Sequence, residues 1–385
     1  MLEVYKSGVE LSADLVTALI DKTNAMISNH YLELVKKSDR GLYDGQVGRQ
    51  VYPLQNGENP YQVAELFAAD ENDPLALHRF NNLSETSPCF TNLADTDALI
   101  HTLCLAHAAF KARFGKSPYL AAGSKHGNVC GISYDWDQPL AALEGTLFGN
   151  PLAVWGGELV TNFKIDKTIS EAMVQHPRRE AILGSAIWML DVVIAPEFTQ
   201  EAAENLLKRK SRKVLANPAL LDPQPVVSGY SYRSVRGGFL RQSPPWRIFD
   251  FNELEINGPQ PDQKDAAGMI LAWAAAYSSF HGGNEVALVK DGCLISVGGG
   301  PATVQAAEVA VDRARKAGHS TEGSVFCADA FFPFTDGPQI LIDAGVKMGC
   351  VPSGGKNELD IRHAFSQAGV TMFYMPEDFR GFCRH

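Results

Sequence analysis

The tightest constraint on the fold of this chain is an alternation. From about residue 93 onward, stretches with apolar residues at three- and four-residue spacing take turns with short aliphatic runs bounded by Gly, Asp or Pro. The spacing predicts helices over 93–114, 139–148, 199–210, 263–280 and 303–316. It predicts strands over 119–123, 189–195 and 285–290, the last turning on Asp291-Gly292. Strands that alternate with helices are covered on both faces, so the expectation is a three-layer α/β fold with largely parallel sheets. Ahead of this region, residues 1–45 read as helical, with Leu11, Leu15 and Val16 opening an apolar-spaced run. Residues 217–225 carry Asn and Pro and read as a connection between domains. A length of 385 residues has room for two domains or one large one.

Composition narrows the function. The net charge of -10 argues against nonspecific nucleic-acid binding, which needs a basic surface to displace counterions. It leaves room for an anionic ligand in a local basic pocket. The N-terminus lacks the basic-then-apolar order of a signal peptide, and the apolar run at 266–276 is too short to span a bilayer. Seven cysteines, widely spaced and without a C-x-x-C pair, read as reduced thiols of a cytoplasmic protein. Gly298-Gly299-Gly300-Pro301 lacks the flanking pattern of a phosphate-binding loop and reads as a tight turn between a strand and the helix at 303–316.

The segment with most chemistry is Ser124-Lys125-His126-Gly127-Asn128-Val129-Cys130-Gly131. A histidine titrates near neutrality and serves as a general base, and a neighbouring lysine offers fixed positive charge to a developing oxyanion. Alone, such a pair is ordinary surface. Cys130, beside it, has no second base placed to activate it and reads as a small buried thiol.

The surrounding segments resemble the transformylase half of the AICAR transformylase/IMP cyclohydrolase family, from about Gly57 to His385. Gly57-Glu58-Asn59-Pro60-Tyr61-Gln62, Lys125-His126 with Cys130-Gly131, Trp155-Gly156-Gly157-Glu158, Asp191-Val192-Val193-Ile194-Ala195-Pro196, Ser234-Val235-Arg236-Gly237-Gly238 and Asp329-Ala330-Phe331-Phe332-Pro333-Phe334 with Asp336-Gly337 follow the family's order. The resemblance implies two cytidine-deaminase-like domains, placed at 1–215 and 216–385. It also implies a homodimer with active sites at the interface, and a formyltransferase using 10-formyltetrahydrofolate as formyl donor to an amine. The roughly 200-residue cyclohydrolase region that precedes the transformylase in the family has no counterpart, so ring closure to IMP is not expected. Zinc deamination is not expected either, because H-x-E and P-C-x-x-C are missing.

Carried over residue by residue, the resemblance makes His126 the base, Lys125 the stabiliser of the transition state and Asn284 a residue orienting substrate or charge. Asn284 is a partial match, since glycines stand where the family has Lys and Ser. Asn92 aligns with a substrate-facing residue, and by position also reads as a cap for a helix starting near Ala94. Trp155, Phe331 and Phe334 are rings able to hold a flat substrate or the pterin, with Gly156 beside Trp155. Asp336 aligns with a carboxylate at the folate site, and His385 with a C-terminal histidine folded into the site. No catalytic metal is implied.

The departures cluster. Gln55 and Asn56 stand where the family has Arg-Tyr gripping a ribonucleotide 5′-phosphate. Gly381 stands for a second Arg, unless a one-residue shift substitutes Arg380. Thr303 stands for a third, with Gly300 in place of Gln. A phosphate dianion is poorly held without bidentate Arg. The expectation is therefore an acceptor amine without ribose 5′-phosphate. The alternatives are a stand-alone AICAR transformylase that rebuilds the phosphate site from Arg40, Arg49, Arg380 or Arg384, and a catalytically silent folate-binding protein.

Overall fold

The computed structural model describes residues 12–37, 44–69, 72–227, 229–245, 247–279 and 283–381. His385, Arg40 and Arg384 lie outside the described residues, as do His281 and Gly282 next to Asn284.

A helix, α1 (Ala13–Lys36), leads into a small hairpin of β1 (Arg49–Pro53) and β2 (Glu65–Ala68). The elements then run β3 (Asn81–Asn82), α2 (Phe90–Phe114), β4 (Tyr119–Lys125), β5 (Asn128–Asp135), α3 (Pro139–Gly149), β6 (Glu158–Thr161), α4 (Lys167–Val174), α5 (Pro177–Leu183), β7 (Val192–Ala195), α6 (Gln200–Leu207) and β8 (Lys213–Ala216). A separate hairpin, β9 (Ser231–Val235) with β10 (Gly238–Gln242), precedes the second run. That run is β11 (Glu255–Asn257), α7 (Gln263–Ser278), β12 (Asn284–Lys290), β13 (Cys293–Gly300), α8 (Thr303–Lys316), β14 (Val325–Ala328), α9 (Asp336–Asp343), β15 (Met348–Pro352), α10 (Glu358–Gln367) and β16 (Thr371–Met375).

One twelve-stranded sheet holds the molecule together, in the order β11-β16-β15-β14-β12-β13-β5-β4-β6-β7-β8-β3. Read outward from its centre, each half has the same order: two inner hairpin strands reversed, three strands running parallel, then an antiparallel edge strand. The halves join where β13 pairs with β5, at Cys293 opposite Ser133. The duplication has no counterpart in a residue-level repeat.

Three layers result. Leu120, Ala122, Val160 and Ile194 on one sheet face, with Ala287, Val325 and Phe373 from the other half, pack against α2 and α7 in one shared core. Alternate residues of the same strands point the other way, as pleating requires. Ala121, Leu159 and Val193 meet the cover of the first half, and Leu288, Phe326 and Tyr374 that of the second. Helix α7 is buried almost all round, and its run of alanines lets it lie close to α2, where Thr102 Oγ1 bonds Ser278 Oγ at 2.8 Å.

Two expectations need correction. The sheet is mixed and mostly antiparallel, because β4–β5 and β12–β13 are joined by two-residue turns that reverse the chain. The glycines at 298–300 are the end of β13 and not a turn. A Cβ at Gly298 would strike the backbone of α8 at Ala310 and Ala306, so this glycine is what lets the helix sit against the strand. Residues 217–225, read as a connection, pack at their start against the first half: Asn217 is buried and bonds the Pro74 carbonyl, and Leu220 is in the core. No helix among the described residues is long and apolar enough to cross a membrane.

Candidate active site

The β4–β5 turn consists of His126 and Gly127, both with positive φ, at 54° and 70°. This is the twist a two-residue hairpin favours, normally built from Asn-Gly or Asp-Gly. The equivalent turn of the second half, Asp291-Gly292, obeys that preference. Histidine in the left-handed region carries a steric penalty that its position in the sheet must outweigh.

The turn is supported from beneath. The Asp95 carboxyl, one turn into α2, faces the backbone N–H groups of His126 and Gly127, which favour its charged form. Behind it, Glu158 at the head of β6 lies against Asp95 and takes a bond from Asn92 Nδ2 at 3.4 Å. Asp95 is 8% exposed and Glu158 4%. Burial raises both carboxyls above their ordinary range, and Asp95 raises Glu158 further. On the same side, Lys125 Nζ donates to the Trp155 carbonyl at 2.9 Å and lies 5.9 Å from that ring's centre. Gly156, at φ 78°, sits against the Lys125 ammonium.

Beside the turn opens a cleft of about 450 Å³ lined by Lys125, His126, Asn128, Cys130, Leu152, Val297, Arg313 and Lys316, among others, with no acidic side chain in its wall among the described residues. Arg313 bonds the Val297 carbonyl at 2.7 Å, which fixes its guanidinium at the edge of the cleft. Cys130 is no nucleophile at neutral pH, because burial pushes its thiol up to about 12.

The predicted residues divide into two groups. Lys125, His126, Trp155, Gly156 and, through Glu158, Asn92 come together. Asn92 stands at the third position of α2, which begins at Phe90 and not near Ala94. It completes a capping box with Cys89, its Oδ1 accepting the Cys89 N–H at 3.2 Å. Gln55 and Asn56 dock near this helix start, Gln55 N–H donating to the Pro88 carbonyl and Asn56 accepting the Phe90 N–H. The second group lies on the other half and lines no part of the cleft that holds His126. There Asn284 donates to the carbonyls of Gly300 and Pro301, both at 3.1 Å. Phe331 is covered by Arg380, Phe334 is 62% exposed, and Asp336 opens α9. Next to Asn284, Asp329 accepts the Glu285 N–H at 2.8 Å, and burial pushes its carboxyl up to about 8.

Sequence reasoning did not single out Asp95, Glu158, Arg313 or Lys316. Glu158 was visible as a lone acid at the head of the apolar run Leu159-Val160, an arrangement that buries a carboxyl wherever the run becomes an inner strand.

Residues 16–313 match the model of the AICARFT/IMPCHase bienzyme family. The chain belongs to that family. The bifunctional purine biosynthesis protein PurH of Oceanobacillus iheyensis is 27% identical over 353 residues, 91% of this chain and 63% of the relative. PurH of Mycobacterium ulcerans and of Mycobacterium marinum are each 28% identical over 352 residues, 88% of this chain and 59% of theirs. The chain thus spans about three fifths of these AICARFT/IMPCHase relatives. Among solved structures, a diaminohydroxyphosphoribosylaminopyrimidine deaminase/reductase of Thermotoga maritima and the dCMP deaminase of cyanophage S-TIM5 each overlap 24% of the chain at 22% identity. Their TM-score of 0.20 covers too little of the fold to bear on its architecture.

Proposed function

We propose that this member of the AICARFT/IMPCHase family is a formyltransferase that moves the formyl group of 10-formyltetrahydrofolate to an amine. The observation that carries the reading is the strained Lys125–His126 turn, held over a buried acid pair at the edge of an apolar, cation-lined cleft. His126 takes the proton the amine loses as it attacks the formyl carbon. Lys125, anchored on the Trp155 carbonyl, faces the oxyanion that forms there. The pterin is assigned to Trp155, Gly156, Phe334 and Asp336, and the acceptor to Gln55, Asn56, Asn92, Trp155, Phe331 and His385. Asn284 orients the developing charge.

Because the two groups occupy different halves of the sheet, the reading takes the working site to be completed by a second copy of the chain, in a cytoplasmic homodimer. It keeps the division at 215/216 into two cytidine-deaminase-like halves. The acceptor is taken to lack the ribose 5′-phosphate, since Gln55 and Asn56 offer no charge to hold one.

One observation favours a second reading, a stand-alone AICAR transformylase: Arg313 and Lys316 line the cleft beside His126 and offer cations the motif comparison does not count. Release of tetrahydrofolate from 10-formyltetrahydrofolate, with AICA ribonucleotide and its riboside as parallel acceptors, separates the two. The first reading expects the riboside to serve at least as well as the ribonucleotide. Turnover with the ribonucleotide alone selects the second, and loss of turnover in His126→Ala with folate still bound excludes a silent binding protein.

A further inference from the structure

Glu158 is almost fully buried, yet only one of its oxygens meets a donor. Oε1 takes the Asn92 amide, while Oε2 is buried with no acceptor or donor of its own in the hydrogen-bond network. An ionised carboxylate left in that state would be costly; a carboxylic acid sharing its proton with a neighbour is not. The neighbour is Asp95, whose carboxyl faces the N–H groups of the His126–Gly127 turn. Register fixes the arrangement, since Glu158 pairs with Ser124 across β6 and β4, two residues before His126.

We propose that Glu158 is a positioning residue for His126: it shares one proton with Asp95, and the joined acids hold the turn in its left-handed shape and set the charge facing the imidazole. The proton stays within the pair. Asp95 therefore keeps the negative charge that balances the imidazolium when His126 accepts the amine proton. The other charged or titratable groups around the pair are Lys125 and Cys130 of the hairpin and Asp191 before β7, the last bound by Arg209 at 3.0 Å. The proposal rests on the formyl-transfer reading only for the role of His126 as base.

The test uses the full chain with labelled histidine, the His126 signal being assigned by its disappearance in His126→Gln. In the wild type, the imidazole titration is expected to carry a second, alkaline inflection as the pair loses its shared proton. Glu158→Gln, which keeps size and hydrogen bonding but cannot titrate, is expected to abolish it. The infrared difference spectrum at neutral pH, wild type minus Glu158→Gln, should show a protonated carboxylic-acid band, the Asp329 acid being common to both proteins and cancelling. Superimposable His126 titrations in the two proteins, or no such band in the difference spectrum, overturn the proposal. Neither measurement needs a substrate, so both decide the acid pair even if no formyl group is transferred. If formyl transfer is present, its rate is expected to change at alkaline pH in the wild type, as the shared proton leaves, and to show no such change in Glu158→Gln.

Discussion

His126 at φ 54° stores strain at the point where the chemistry is assigned. Replacing it with glycine should stabilise the protein by up to about 1 kcal/mol while lowering turnover at least roughly a hundredfold, read by thermal unfolding and tetrahydrofolate release. A fall in melting temperature would mean that the contacts of the imidazole outweigh the strain. Asp329 offers a test of buried charge. Its folded value of about 8 lies above the ordinary 3.8, so the folded state keeps a proton that the unfolded chain releases. Its stabilising contribution is therefore complete below pH 3.8 and is lost as pH rises to about 8. Asp329→Asn, still able to accept the Glu285 N–H, should remove a slope of at most about 1.4 kcal/mol per pH unit from that window. Equal slopes in the two proteins would place the carboxyl in water. These residues were unevenly legible. Lys125-His126 declares itself by chemistry, but Asp95 and Glu158 acquire meaning only when strand register brings them under the turn.

Elements were legible where one period runs long. Thr303–Lys316 is the predicted helix, and α2 extends the predicted 93–114 by only three residues at its start. Short strands were not, because an apolar run of four to eight residues says nothing about its partner's direction. The Gly298–Gly300 run was misread for a related reason: glycine marks both turns and close approach, and here a helix backbone lies against the strand. Gly298→Ala should therefore destabilise by about 1–3 kcal/mol in urea unfolding, since the added Cβ meets backbone atoms of α8 rather than a yielding side chain. A loss under about 0.5 kcal/mol would mean the helix shifts freely.

At the scale of the whole molecule, the shared core under α2 and α7 draws residues from both halves, so the sheet should unfold as one unit. Calorimetry is expected to give a single cooperative transition. Two separated transitions would show that the halves around 215/216 are stable by themselves. The three layers were legible in the alternation of elements, whereas the repeat was hidden because twin positions hold different side chains. That difference has a use. Lys125-His126-Gly127 and Lys290-Asp291-Gly292 are the same backbone bend on the same scaffold, one with an imidazole at its tip and the other with an ordinary hairpin aspartate tied to Lys264. The chain carries its own reference copy. Any reactivity found at the first bend and absent from the second belongs to the side chains and their acid support rather than to the shape of the loop.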